Sequence, residues 1–302
     1  MAGMHDDAAA LTAAARERDT DTAERLLAAG APADEAIHGI RVPYDELADR
    51  ALAFAPGHAG RFAAAAALAD RVDDETFAVA ARQLATAPDA GRRRFAAEVL
   101  LVYGLYAEGV EDAERLEKAA GEVLLRRAAV EQDPGVLTEI VCGLGLHHDP
   151  RAVPAILRHA RNPEPDVRAQ VAAALTGMVA PDDTEALGTL LALVEDRDPR
   201  VRRCAAATLA DLRADPPAVR AALAGLLADP DPDVAVEGAR GLGLRDDPRG
   251  DTVLVRAFDS RPPDSTPEAH RTYEAIRRMP MARFLAARAA LAAPGTPGTL
   301  GT

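Results

Sequence analysis

Four times between residues 133 and 260 an acidic residue precedes proline, a valine follows two positions after the proline, and a leucine lies eight beyond the valine. The copies are Asp133-Pro134-x-Val136…Leu144, Glu164-Pro165-x-Val167…Leu175, Asp198-Pro199-x-Val201…Leu209 and Asp231-Pro232-x-Val234…Leu242. Their valines are 31, 34 and 33 residues apart (167−136, 201−167, 234−201). Such a period signals one supersecondary unit stacked on itself. It constrains architecture strongly and chemistry weakly.

Each copy reads as a helix start. A carboxylate at the cap accepts bonds from otherwise unpaired N–H groups. Proline at the first helical position forfeits nothing, because its missing N–H would have had no partner. Valine and the residues four, five and eight beyond it share one face. A second helix follows each first one, starting at Asp149-Pro150, Pro181-Asp182-Asp183, Asp215-Pro216 and Asp247-Pro248. No segment alternates as a strand would. Each helix pair leaves an apolar face bare unless a neighbour covers it. The expected fold is all-α, a right-handed α-solenoid (superhelix) of stacked antiparallel helix pairs.

The segment PDVRAQVAAALTGM, continuing through LLALVEDRDPRVRRCAAATLADL and LLADPDPDVAVEGARGLG, resembles HEAT repeats of the short type found in phycobilisome lyases. In that type a helix opens with Asp-x-x-Val-Arg. Arg168 and Arg202 stand at the arginine position, whereas Leu137 and Ala235 replace it, so the resemblance implies an interrupted Asp–Arg ladder. Leu11 to Asp34 resembles a single ankyrin repeat through its Ala-Ala pair, Asp19-x-Asp21, Leu26-Leu27 and Gly30-Ala31; a plain capping hairpin is the alternative. The combination resembles repeat proteins of high-GC actinobacteria.

The expected organisation is an N-terminal helical cap over 1–57, degenerate repeats over 58–132, clear repeats over 133–260, a C-terminal capping helix over 261–292 and a disordered Pro/Gly/Thr-rich tail over 293–302. In the degenerate part Arg61-Phe62 and Arg94-Phe95 mark equivalent positions, with a longer turn around Gly104–Gly109. Pro280 breaks or kinks the C-terminal helix.

Aromatic residues make up 3% of the chain and tryptophan is absent, so the interior must be aliphatic. Net charge is −13, and residues 133–260 carry 14 basic against 21 acidic residues, or −7. Proteins that track phosphate need a basic stripe. This weighs against a nucleic-acid partner and against a HEAT-like DNA-repair glycosylase. No apolar run reaches membrane-spanning length, and the first residues lack a secretory signal pattern, so a cytoplasmic protein without a membrane partner is expected. Cys142 and Cys204 fall in helices two repeats apart, beyond disulfide reach, and read as free thiols.

Chemistry is hard to find. HEAT-like deoxyhypusine hydroxylases build a di-iron site from His-Glu pairs, and this chain has no His-Glu dipeptide. His147-His148 is the one histidine cluster; His148 reads as a turn residue and Asp149 as a cap. Neither cysteine has a His or Asn partner implied by spacing, which disfavours a thiol-dependent lyase. Gly143, Gly145, Gly241 and Gly243 do not follow strands, so a phosphate loop fails its context. No catalytic, cofactor-binding or metal-ligating residue is assigned, and a cryptic lyase or hydroxylase remains the alternative function. The resemblance places the Val-Arg helices on a concave surface. Positions two, three and six beyond each valine form its outward arc, giving Glu139, Gln170, Arg203, Glu237 and Arg240 as candidate contacts for another protein or peptide. The expected function is a non-enzymatic protein–protein interaction scaffold.

Overall fold

A computed structural model describes residues 42–106, 111–180, 182–212, 215–260 and 267–293, and none of these forms a strand. The ankyrin-like segment and residues 294–302 lie outside the described residues. The chain forms two compact units that meet in sequence at Ile156 and Leu157.

The first unit holds α1 (Tyr44–Leu52), α2 (Ala59–Ala69), α3 (Asp74–Thr86), α4 (Ala90–Tyr106), α5 (Glu111–Ala128) and α6 (Pro134–Leu146). The chain leaves this unit within the short α7 (Val153–Leu157). Leading helices pack on one another in the order α2, α4, α6, and the trailing helix α3 packs on α5. The second unit repeats this scheme with α8 (Pro165–Ala174), α9 (Thr184–Leu193), α10 (Pro199–Asp211), α11 (Pro217–Gly225), α12 (Pro232–Gly243), α13 (Asp251–Ser260), α14 (Pro267–Arg278) and α15 (Met281–Ala292). Here α8, α10, α12 and α14 form the leading row, while α13 and α15 pack side by side. Residues 267–292 are therefore two helices that continue the stack. Pro280 separates them, because proline cannot donate to a helix and disfavours helical geometry in the residue before it.

The repeat's apolar face is buried as its spacing requires. All sixteen positions at the valine and four, five and eight residues beyond it are buried, from Val136, Ile140, Val141 and Leu144 to Val234, Gly238, Ala239 and Leu242. Full burial of one Val or Leu side chain contributes about 2 kcal/mol, against about 1 kcal/mol for a cap. The shared interior therefore holds the stack, and the caps set where each helix begins. Asp133 accepts from Val136 N–H at 2.9 Å, Asp198 from Arg200 N–H at 2.9 Å and Asp231 from Asp233 N–H at 2.9 Å.

Several starts differ from expectation. The longer Glu164 side chain makes no cap bond; its own N–H donates to Asn162 Oδ1 at 2.9 Å. Asp149-Pro150 and Asp247-Pro248 open three-residue 3-10 turns before the α-helix forms. Asp215 caps nothing, because Pro217 holds Pro216 extended (ψ 153°) and the helix begins one residue late. Of the turn expected around Gly104–Gly109, Gly104 lies inside α4, which runs on to Tyr106, and residues 107–110 lie outside the described residues.

Phe62 and Phe95 are not equivalent. Phe95 is fully buried and Phe62 is 47% exposed. Phe62 lies four residues after its cap, His58, whereas Phe95 lies six after Asp89, whose side chain accepts from Arg92 N–H. Two residues rotate a helical side chain by about 200°, which sends the two rings to opposite faces.

A recurring arginine clamp ties successive pairs together. Arg93, Arg168 and Arg202 each stand four residues after a capping position. One edge of each guanidinium grips a carboxylate two residues before the next cap: Arg93 on Glu131 at 3.1 and 3.2 Å, Arg168 on Asp196 at 2.7 and 2.8 Å, Arg202 on Asp229 at 2.8 and 2.7 Å. The other edge donates to the carbonyls six and five residues back. These are Ala87 and Pro88, Asn162 and Pro163, and Asp196 and Arg197, at 2.8–3.3 Å. Each carboxylate also accepts the N–H of the following capping residue at 2.9–3.0 Å. Only a planar, five-donor guanidinium can bridge two loops in this way.

Candidate interaction face

The outward arc of the leading helices takes a different form in each unit. In the first unit Glu139, on α6, is half-buried and held by Arg94 of α4 at 2.6 Å. Arg94 also lies 3.6 Å from Glu98, which Arg61 of α2 grips at 2.6 Å. Charge on this arc is consumed between neighbouring helices. Burial pushes the Glu98 carboxyl upward, against the pull of Arg61.

In the second unit α8 presents half-buried Ala169 and Gln170 and exposed Ala173. On α10, Arg203, Cys204 and Ala207 are half-buried. Among the four arginines of α8 and α10, three hold carboxylates: Arg168 on Asp196, Arg200 on Asp166 and Arg202 on Asp229. Arg203 makes no hydrogen bond or ion pair with the described residues.

On α12 the expected arc is closed. Glu237 and Arg240 are 3% and 4% exposed. Arg240 donates to Glu237 at 2.7 Å, to Asp211 of α10 at 2.6 Å and to the Ala207 carbonyl at 3.1 Å. Arg271 of α14 reaches Glu237 at 3.0 Å from the other side. The row Asp211–Arg240–Glu237–Arg271 thus pins three leading helices, and α14 covers what the repeat pattern would leave open. The expectation that Glu237 and Arg240 face outward is corrected: the leading row continues one helix further than the legible repeats.

A second feature of the first unit is a cavity of about 420 Å³ lined by Gly104, Leu105, Glu114, Glu117, Leu146, His147 and His148. The His147 ring is buried, with Nε2 3.2 Å from the Leu100 carbonyl and Nδ1 3.9 Å from Glu117. Burial pushes the imidazole below its ordinary value. His148 has φ +48°, as suits a turn, and Asp149 caps the 3-10 turn after it through Arg151 N–H at 2.9 Å. Among the described residues no three His, Cys, Asp or Glu converge on a common point. Burial raises both thiols, Cys142 to about 11. A nucleophilic cysteine needs the opposite shift. No helix among the described residues is long and apolar enough to cross a membrane.

Residues 172–234 and 188–269 match the family model of HEAT repeats. Among solved structures the chain is similar to Escherichia coli YibA, with 17% identity over 80% of this chain and 98% of that one and a TM-score of 0.52. It is also similar to an archaeal HEAT-like repeats protein from Thermococcus onnurineus NA1, with 13% identity over 82% and 100% of the two chains and a TM-score of 0.44. No curated protein matches the sequence. The family match and the likeness to YibA identify the fold as an all-α solenoid of HEAT-like repeats.

Proposed function

We propose that this chain is a non-enzymatic, cytoplasmic protein-interaction scaffold that binds a protein or peptide through the outward arc of α8 and α10. The observation that carries the reading is the isolation of Arg203, a half-buried arginine with no hydrogen-bond or ion-pair partner among the described residues, on helices whose three other arginines are paired. The other arc positions of α8 and α10 are small or weakly polar: Gln170, Ala169, Ala173, Cys204 and Ala207, half-buried or exposed. A partially desolvated arginine among small residues is typical of an interface centre. Glu139 in the first unit presents a second, already neutralised contact. Glu237 and Arg240 support the arc from beneath. The likeness to the phycobilisome-lyase type of HEAT repeat rests on the Val-Arg openings at 167–168 and 201–202 and brings no reacting group with it.

The test is partner capture with Arg203→Ala, Gln170→Ala and Glu139→Ala, each first shown to unfold at the wild-type midpoint. Loss of the captured protein with Arg203→Ala is expected. Capture unchanged by all three substitutions contradicts the assignment, and turnover of a substrate by the purified chain contradicts the non-enzymatic reading.

A further inference from the structure

The clamp position lacks a donor in two copies, and in one of them the side chain ends at Cβ. Ala235 stands four residues after its cap, Asp231, where Arg93, Arg168 and Arg202 stand in theirs. In those three copies the guanidinium bonds the carbonyls six and five residues back. For Ala235 the corresponding residues are Asp229 and Pro230. Both line a cavity of about 350 Å³, together with Ala235 itself, Pro232, Val236 and Val253. Leu137 also replaces the arginine, but it carries a longer side chain, which is buried. Ala235 ends at Cβ and leaves the space open.

We propose that this cavity is a docking pocket for an arginine side chain of a partner protein, whose guanidinium takes the two carbonyls that the clamp arginines take in the other copies. The inference rests on the scaffold reading and names the chemistry of the group recognised. The three internal copies show what such a pair of adjacent carbonyls holds: one edge of a planar guanidinium, whose other edge takes a carboxylate. Asp229, whose carboxylate is already shared with Arg202, continues the row of alternating charge on that side. Pro232, Val236 and Val253 offer the stem an apolar wall, as arginine stems favour. Arg256 also lines the cavity; it is exposed, so its head can remain in water while the incoming guanidinium is bound.

The probes are N-acetyl-Gly-Arg-Gly-amide and its glutamate counterpart, titrated against full-length protein with labelled alanine and valine methyls. The arginine peptide should shift Ala235 and Val253 saturably, in the millimolar range suited to a single side chain, and the glutamate peptide should not. Ala235→Arg, which supplies the guanidinium internally, should abolish the shifts. Ala235→Leu should also abolish them while keeping the wild-type unfolding midpoint, so a folding defect in one variant does not decide the matter. Arg256→Gln should bind the arginine peptide at least as tightly. The proposal is overturned by the absence of saturable shifts, by binding that survives both Ala235 variants, or by preferential glutamate binding that Arg256→Gln removes. Arginine-peptide binding that persists while partner capture ignores Arg203 would sink the arc assignment and leave this pocket standing.

Discussion

Arg202 grips Asp229 with two parallel hydrogen bonds, Nε to Oδ2 at 2.8 Å and Nη2 to Oδ1 at 2.7 Å, from one helix pair into the loop that opens the next. The pair is largely buried, and its outer ends are tied to backbone: Arg202 to the loop behind it, Asp229 to the N–H of Asp231. Stability here lies between repeats as much as within them, as one-dimensional stacks require.

Acid should attack the equivalent clamp in the first unit. Burial alone would raise the Glu131 carboxyl. Hydrogen bonds from Arg93, from Asp133 N–H and from Arg127 overcome that and hold it at about 2. A carboxyl whose folded value lies below its unfolded value stabilises the fold above the unfolded value, near 4.5, and loses that contribution as pH falls towards 2. Glu131→Gln should lower stability at neutral pH by about 3 kcal/mol and flatten the acid limb of the unfolding free energy between those values. Urea titrations at stepped pH measure both.

The small residues of the leading helices are packing choices. A Cβ on Gly238 would meet the Leu223 carbonyl oxygen at 2.8 Å and Leu226 Cβ at 2.8 Å. The first obstacle is backbone and cannot rotate away. Gly238→Ala should therefore destabilise by about 1–3 kcal/mol, although alanine is the better helix former. Gly188→Ala, with nothing near its Cβ, should be neutral or stabilising by up to about 1 kcal/mol. Thermal midpoints of the two variants distinguish these outcomes.

His147 should make the protein acid-sensitive in a milder range. Its folded value is depressed below 6.5 chiefly by burial, so the unfolded chain binds the proton more readily. Stability is full above about 6.5 and declines as pH drops below it. His147→Gln retains a donor for the Leu100 carbonyl and should remove this part of the pH dependence. Unfolding midpoints from pH 7 to 5 check the slope.

Much of the fold was legible because its repeat carries physical markers at fixed spacing. Asp133, Asp198 and Asp231 cap as read, and the valine-to-leucine stripe is buried in all four copies. The acid two residues before three of the caps, in Glu131-x-Asp133, Asp196-x-Asp198 and Asp229-x-Asp231, was visible in the sequence. Its partnership with Arg168 and Arg202 is implied only by the resemblance, as an Asp–Arg ladder, and that with Arg93 not at all, because the partners are 27–38 residues apart and no local spacing links them. The arc was legible only where the repeat governs its neighbours. At α12 the cover comes from α14, whose sequence lacks the repeat's marks, so the burial of Glu237 and Arg240 left no trace in the four-copy pattern. Arg93 lies outside the four-copy pattern for the same reason: its helix opens with Asp89-Ala90 instead of Asp-Pro.

The most direct test of inter-repeat clamping is a double-mutant cycle on Arg202→Ala and Asp229→Ala, followed by urea unfolding of all four proteins. Each single variant should lose about 3 kcal/mol, because it strands a buried charge. The double variant should fall short of the sum by about 1–3 kcal/mol. Strict additivity would mean that the two side chains act independently, and would contradict the clamp as the tie between successive helix pairs.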